Sequence, residues 1–177
     1  MTALEKLQYP IGKFQSKASY SQEEVSECIA EIASFPERLI ETVKLFSESQ
    51  YETPYRDGGW TVKQLIHHIA DSHMHAYIRV KWSLTEEHPT IKAYHEKLWA
   101  TTPETSEDPH LSIQLIKALH AKWVVLLKQL NPSELNKTYH HPVSGKDVRL
   151  DGLIAMYAWH SNHHLAHITE LKKVKGW

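Results

Sequence analysis

The chain is predicted to be all-α, a four-helix bundle with longer connections and a possible short β-hairpin between its third and fourth helices. Three observations predict this. Four long stretches carry apolar residues at helical spacing. Capping signals stand where those stretches begin. The segments between them are long enough to join helices that are not simple hairpin neighbours. The 177 residues suit one domain, taken as 1–177, with a substantial core.

The first helix is expected from about Ser21 to Ser47. Ser21 and Glu24 fit a capping box, and Val25, Ile29, Ile32, Leu39, Ile40, Val43 and Leu45 supply the apolar spacing. Pro36 interrupts the pattern, so a kink or break is expected near Ser34 and Phe35. The second helix opens after Gly58-Gly59, with Thr61 as N-cap and Gln64 three residues on, and continues to about Leu84. The third spans roughly Leu111 to Leu130, with Leu115, Ile116, Leu119, Trp123, Leu127 and Leu130 on one face. The fourth runs from Asp151, read as its cap, to Lys175. Residues His88 to His110 form a Pro-, Thr- and Glu-rich connection. Lys137 to Leu150 reads as a hairpin turning at Val143-Ser144-Gly145-Lys146. Trp60, Trp82, Trp123 and Trp159 are expected in the core.

Composition excludes several classes. Hydrophobic residues at 41% and charged residues at 23% describe a globular chain, not a disordered one. A net charge of −1 with no basic stripe argues against nucleic acid as a partner. The single cysteine, Cys28, permits neither an internal disulfide nor a cysteine-based zinc site. No run of 18 apolar residues occurs and MTALEKLQYP lacks a signal-peptide core, so no membrane association and a cytoplasmic location are expected.

The chemistry concentrates in the last helix, which carries His160, His163, His164 and His167. Counted from Leu153 at 100° per residue, Tyr157, His160, His164, Ile168 and Leu171 fall at roughly 40°, 340°, 20°, 60° and 0°, one apolar stripe. His163 and His167 lie near roughly 280° and 320°. Two imidazoles one turn apart inside an apolar stripe are costly unless something engages their lone pairs, and a divalent metal is the usual solution. A catalytic zinc takes three protein ligands and keeps a position open. Candidates for the third ligand are His67, His68, His73 and His75 in the second helix, and periodicity does not choose between His67 and His68. Two decoys drop out: Glu107 to His110 contains Pro109, and His95-Glu96-Lys97-Leu98 ends in Trp99 where a zincin motif needs histidine.

The segments TPYRDGGWTVKQLIHHIADSHMHAYIRVKWSLTEEHP, Tyr94 to Trp99 and WHSNHHLAHITELKK resemble the DinB/YfiT-like group of bacterial four-helix-bundle metalloproteins, over almost the whole chain. That group's second helix carries a histidine followed by Leu/Ile-Ala-Asp, which maps to His68 before Ile69-Ala70-Asp71. Its last helix carries His-x-x-x-His, which maps to His160 and His164. The resemblance therefore implies a metal site of His68, His160 and His164 with open positions, and a homodimer. It also implies that Tyr55, Arg56 and Asp57 line the site; a salt bridge closing their loop is the plain alternative. Asp71 is a possible partner for a ligand imidazole. His67, His73, His75, His163 and His167 are expected on or near the surface.

Such a site, holding one divalent ion per chain, zinc by default and nickel as an alternative, supports two reactions on a small-molecule substrate. Activation of water gives a metal-dependent hydrolase. Binding a low-molecular-weight thiol as thiolate gives an S-transferase. The group resembled includes both, with bacillithiol or mycothiol as the thiol. No carboxylate lies on the stripe, and Glu170 at roughly 260° is well off it, which tilts the mechanism slightly toward thiol transfer. The hydrolase remains the broader expectation, and no catalytic residue is assigned. A non-catalytic metal-binding stress protein would need a fourth ligand, His163 or His167, whose angles speak against it.

Overall fold

The computed structural model describes residues 3–177. In chain order the elements are α1 (Ala3–Gln8), α2 (Gln22–Val43), α3 (Glu48–Tyr51), α4 (Val62–Thr85), α5 (Glu96–Trp99), a 3₁₀ turn (Pro103–Ser106), α6 (His110–Leu127), α7 (Pro132–Leu135), β1 (Thr138–His141), β2 (Lys146–Arg149) and α8 (Leu150–Lys175). The four long helices α2, α4, α6 and α8 form the bundle.

The expected starts hold for α2 and α4. Ser21 Oγ accepts from Glu24 N–H while the Glu24 carboxylate takes Ser21 N–H, and Thr61 and Gln64 repeat this reciprocal pairing at α4. α2 stops at Val43, and Leu45 is 85% exposed, so the apolar spacing beyond Val43 does not extend the helix. Of the kink or break expected at Pro36, the break is absent, since α2 runs through it, and the carbonyl it deprives of a donor finds one on α6. Asp151 is not the cap of α8. Arg149 holds that position, and the Asp151 carboxylate is buried one residue inside, accepting from Tyr20 N–H, Gly152 N–H and the Arg149 guanidinium. The face of α6 is rotated from the predicted one. Leu115 is 43% exposed, whereas Ile113, Ile116, His120, Trp123, Val124 and Leu127 face inward. Of the tryptophans, only Trp123 is fully enclosed, while Trp60, Trp82 and Trp159 are half-buried.

Packing contacts join α2 to α8 and α6, and α4 to α6 and α8. The chain-consecutive pairs α2/α4 and α6/α8 therefore lie across the diagonals. The core divides into two apolar clusters. One holds Ile29 and Ile32 of α2, Val80 of α4, Trp123 and Leu127 of α6, and Leu153 and Tyr157 of α8. The other holds Phe35 and Leu39, Leu65 and Ile69, Ile113 and Ile116, and Ile168 and Leu171 of the same four helices. Read along the chain, α2 and α8 pass from the first cluster to the second, and α4 and α6 pass the other way. Sequential α4 and α6 are thus parallel neighbours, and the connection between them must return along the whole bundle. Residues 86–109 do this, pairing with β1 through Ile91 N–H to His140 O (3.1 Å) and His140 N–H to Pro89 O (2.9 Å), then passing through α5 and the 3₁₀ turn. The predicted hairpin is present, with β1 antiparallel to β2 in the register Thr138 to Arg149 and His141 to Lys146. Gly145, at φ 63°, supplies the left-handed residue of its turn. No described helix is long and apolar enough to cross a membrane.

Between the two apolar clusters lies a layer of imidazoles. His73, His120 and His164 occupy the level of α4, α6 and α8 where neither cluster has a member.

Candidate metal centre

α4 and α8 pack side by side at this level, and each contributes to one corner. His68 lies two turns into α4, its ring 4.5 Å from that of Trp60. On α8, His160 and His164 stand one turn apart with ring planes at 83° and their Nε2 atoms 3.0 Å from each other. One nitrogen from each of His68, His160 and His164 lies within 4.8 Å of the others. Burial holds all three rings neutral. His68 is lowered to about 4 by desolvation and by nearby His163, and His160 and His164 are pushed well below the ordinary value by desolvation first and neighbouring imidazoles second. Neutral imidazole is the form that binds a metal.

The donor set fits a divalent ion. Two nitrogens at about 2.05 Å from a tetrahedral zinc stand about 3.3 Å apart, so the 3.0 Å spacing of the Nε2 pair needs only a small adjustment. Without a cation, that pair can share a single proton, and His164 Nδ1 is buried with no hydrogen-bond partner.

Among the described residues, two further groups meet the same distance limit. His88, His140 and Asp147 form an exposed cluster in which Asp147 accepts from both rings, an ordinary solvated arrangement. His163, His164 and His167 all belong to α8, with His163 Nε2 3.2 Å from His167 Nε2. Only the first group draws donors from two helices.

A cleft of about 640 Å³ opens over the three histidines. Tyr55, Arg56 and Trp60 form part of its wall, and Glu96 and Lys97 of α5 stand at its rim. The Tyr55 ring lies 4.2 Å from that of His167. Tyr55 and Arg56 thus line the cleft as the resemblance implied, while Asp57 faces an adjoining apolar groove. His163 and His167 are not solvated, as expected from their angles, but 8% and 4% exposed on the cleft wall. Their positions on a buried helix between α2 and α4 explain this, since α8 is covered on both sides.

His67 and His68, inseparable by periodicity, face different ways. His67 Nδ1 lies 2.8 Å from Ser112 Oγ and Nε2 3.4 Å from Glu107 O, so it ties α4 to α6 and its preceding loop. Asp71 is hydrogen-bonded to no imidazole among the described residues; burial, with Glu104 adding to it, raises its carboxyl to about 6. The ring that meets His160 is instead His73, fully buried, with Nε2 3.0 Å from His160 Nδ1. His75 is also half-buried, stacked at 4.2 Å on Tyr94.

Three residues stand apart from the sequence expectations: His73, a candidate third ligand expected near the surface, is fully buried behind His160, and His120 and Glu96 were not singled out. The signal for two of them was present. Ile66, Ile69, His73, Ala76 and Val80 repeat the spacing of Ile113, Ile116, His120, Trp123 and Leu127, and both series are apolar stripes with one histidine in the same place. Glu96 carried no such signal, because its place depends on the path of residues 86–109.

Comparison with known proteins gives the lineage. Residues 31–168 match the model of the DinB superfamily. YfiT of Bacillus subtilis (strain 168), named as a supposed metal-dependent hydrolase, is 43% identical over 172 residues, covering 97% of each chain. A Bacillus mycoides (strain KBAB4) protein of the same designation is 44% identical over 171 residues, covering 97% of this chain and 98% of that one. The solved structure of Bacillus subtilis YfiT, described as having an unusual four-helix bundle topology, superposes with a TM-score of 0.95 over 97% of this chain and 99% of that chain. Sequence and fold agree along nearly the full length, and the chain belongs to the DinB superfamily.

Proposed function

We propose that the chain is a metal-dependent hydrolase holding one divalent ion, zinc in the first instance, on His68, His160 and His164. The observation that carries this reading is the convergence of three neutral imidazoles from two helices at the floor of an open cleft. Three histidines with the remaining positions free are the donor set of a catalytic site, not of a closed structural one. When bound, such an ion supplies Lewis-acid polarisation of a carbonyl-type oxygen and draws the pKa of water down toward about 7.

The chain's own groups supply the rest. Glu96 at the rim is the carboxylate of this cleft, to which α8 contributes none, and it is assigned to take a proton from an attacking water. Arg56 and Lys97 present positive charge to an anionic part of a small substrate. Trp60 and Tyr55 close the wall beside His68 and His167 and limit the water that reaches the floor. Zinc is preferred because it is redox-inert and suits imidazole, though nickel and copper suit the same donors.

The test is turnover by zinc-loaded protein of a panel of activated esters and amides, beside thiol-plus-electrophile pairs. Hydrolysis is expected, abolished in His164→Ala and lowered about 10²- to 10⁴-fold in kcat by Glu96→Gln. Turnover of the thiol pairs alone would overturn hydrolysis in favour of S-transfer, since a coordinated thiol also loses its proton.

A further inference from the structure

Pro36 has no N–H, so the carbonyl of Ile32, four residues earlier in α2, loses its ordinary helical donor. His120 Nδ1, reaching across from α6, lies 2.7 Å from that oxygen. A carbonyl only accepts, so the proton of His120 is on Nδ1. A neutral imidazole has one N–H, which makes His120 Nε2 an acceptor. The atom facing it at 2.7 Å is His73 Nδ1 on α4, which therefore donates. His73 Nε2 accepts, and His160 Nδ1 on α8, 3.0 Å away, donates to it. His160 is left with a bare Nε2, the atom that stands 3.0 Å from His164 Nε2 in the metal corner.

We propose that the Ile32 carbonyl, His120 and His73 form a directed hydrogen-bond wire that fixes the tautomer and ring orientation of His160, making His73 and His120 positioning residues for the metal. The wire takes one member from each bundle helix, in the order α2, α6, α4, α8, and its direction is set by the single carbonyl that Pro36 frees. Its rings are enclosed, His73 at 0% and His120 at 1% exposure, and Phe35 packs on both at ring distances of 5.6 and 5.5 Å. Desolvation keeps both neutral, lowering His120 to about 4 and His73 well below its ordinary value. Ligand histidines elsewhere commonly give their second N–H to a carboxylate or carbonyl, which orients the ring and raises its basicity. Here the carbonyl is reached through two further imidazoles. Asp71, the carboxylate nearest in sequence to these rings, takes no part.

The purpose assigned to the wire rests on the metal reading above, whereas the proton positions do not. Long-range ¹H–¹⁵N spectra of the ¹⁵N-labelled, metal-free chain report them directly. Nδ1–H with bare Nε2 is expected for His73 and His120, and Nε2–H on either would overturn the proposal. Zinc affinity, measured by competition with a chromogenic chelator, then tests the role. His73→Leu, which cuts the wire with a side chain of similar size, is expected to bind zinc about 10- to 100-fold more weakly. His73→Gln, which keeps a donor and an acceptor, is expected to recover most of that loss. Wild-type affinity in a folded His73→Leu would overturn the role. The predicted tautomers with no zinc uptake by the wild-type chain would overturn the metal reading, and the wire's role with it, while leaving the proton positions established.

Discussion

His160 and His164 sit where the α8 stripe would otherwise carry leucine, and the price is visible in His164 Nδ1, a buried polar atom without a partner. An imidazole in that position costs on the order of 1–3 kcal/mol if it gains nothing in return. Replacing it by an apolar residue should therefore raise the stability of the metal-free chain. His164→Leu is expected to shift the metal-free unfolding midpoint upward by about 1 kcal/mol equivalent, and to remove zinc-induced stabilisation. A His164→Leu chain that is several kcal/mol less stable without metal would show that the ring is a structural member of the core. His67 makes the opposite case. Its two ring contacts, to Ser112 and to the Glu107 carbonyl, are satisfied within the protein, so His67→Ala is expected to lose about 1–3 kcal/mol of stability while retaining metal. Calorimetric melts with and without zinc check both statements.

At the scale of the element, α4 depends on the reciprocal cap between Thr61 and Gln64, two turns before His68. Thr61→Ala is expected to cost about 1 kcal/mol by chemical denaturation without changing the number of bound ions; a lost ion would mean that the cap itself sets the position of His68. This cap, that of α2 and the hairpin were legible in the sequence because each depends on neighbours within a few residues. Pro36 was legible as a residue and not in its consequence, because the donor that replaces the lost helical bond belongs to another helix, 84 positions on. The α6 face was misjudged for a related reason. Leu115 and Leu119 satisfy a helical pattern, but the hydrophobic spacing there is broad, and contact with α2 and α4 selects the face bearing His120. Of the proposed metal corner, the pair on α8 followed from periodicity alone. The choice of His68 over His67 did not, since adjacent residues on a helix with a wide apolar arc differ only in which neighbour they meet.

For the whole molecule, the layer of neutral imidazoles between two apolar clusters couples stability to pH. The unfolded chain protonates histidine below its ordinary 6.5, while His120 in the folded chain stays neutral to about 4 and His73 to well below 6.5. The folded values are depressed, so stability is complete above about pH 6.5 and falls as pH drops toward 4. Each such ring removes up to about 1.4 kcal/mol per pH unit in that window. The metal-free chain is expected to show a urea midpoint markedly lower at about pH 5 than at about pH 7.5, and a midpoint that does not move would mean that these rings take up protons without unfolding. The chain path matters as much as the layer. Because α4 and α6 run parallel, residues 86–109 must return along the bundle, and that passage is what carries Glu96 to the rim of the cleft. The most direct test of the account is metal per chain, by elemental analysis of protein purified without a nickel column and supplied with zinc. One ion per wild-type chain, lost in His68→Ala and in His164→Ala and kept in His67→Ala, is the predicted result. An ion retained in His68→Ala, or no uptake by the wild-type chain, would contradict it.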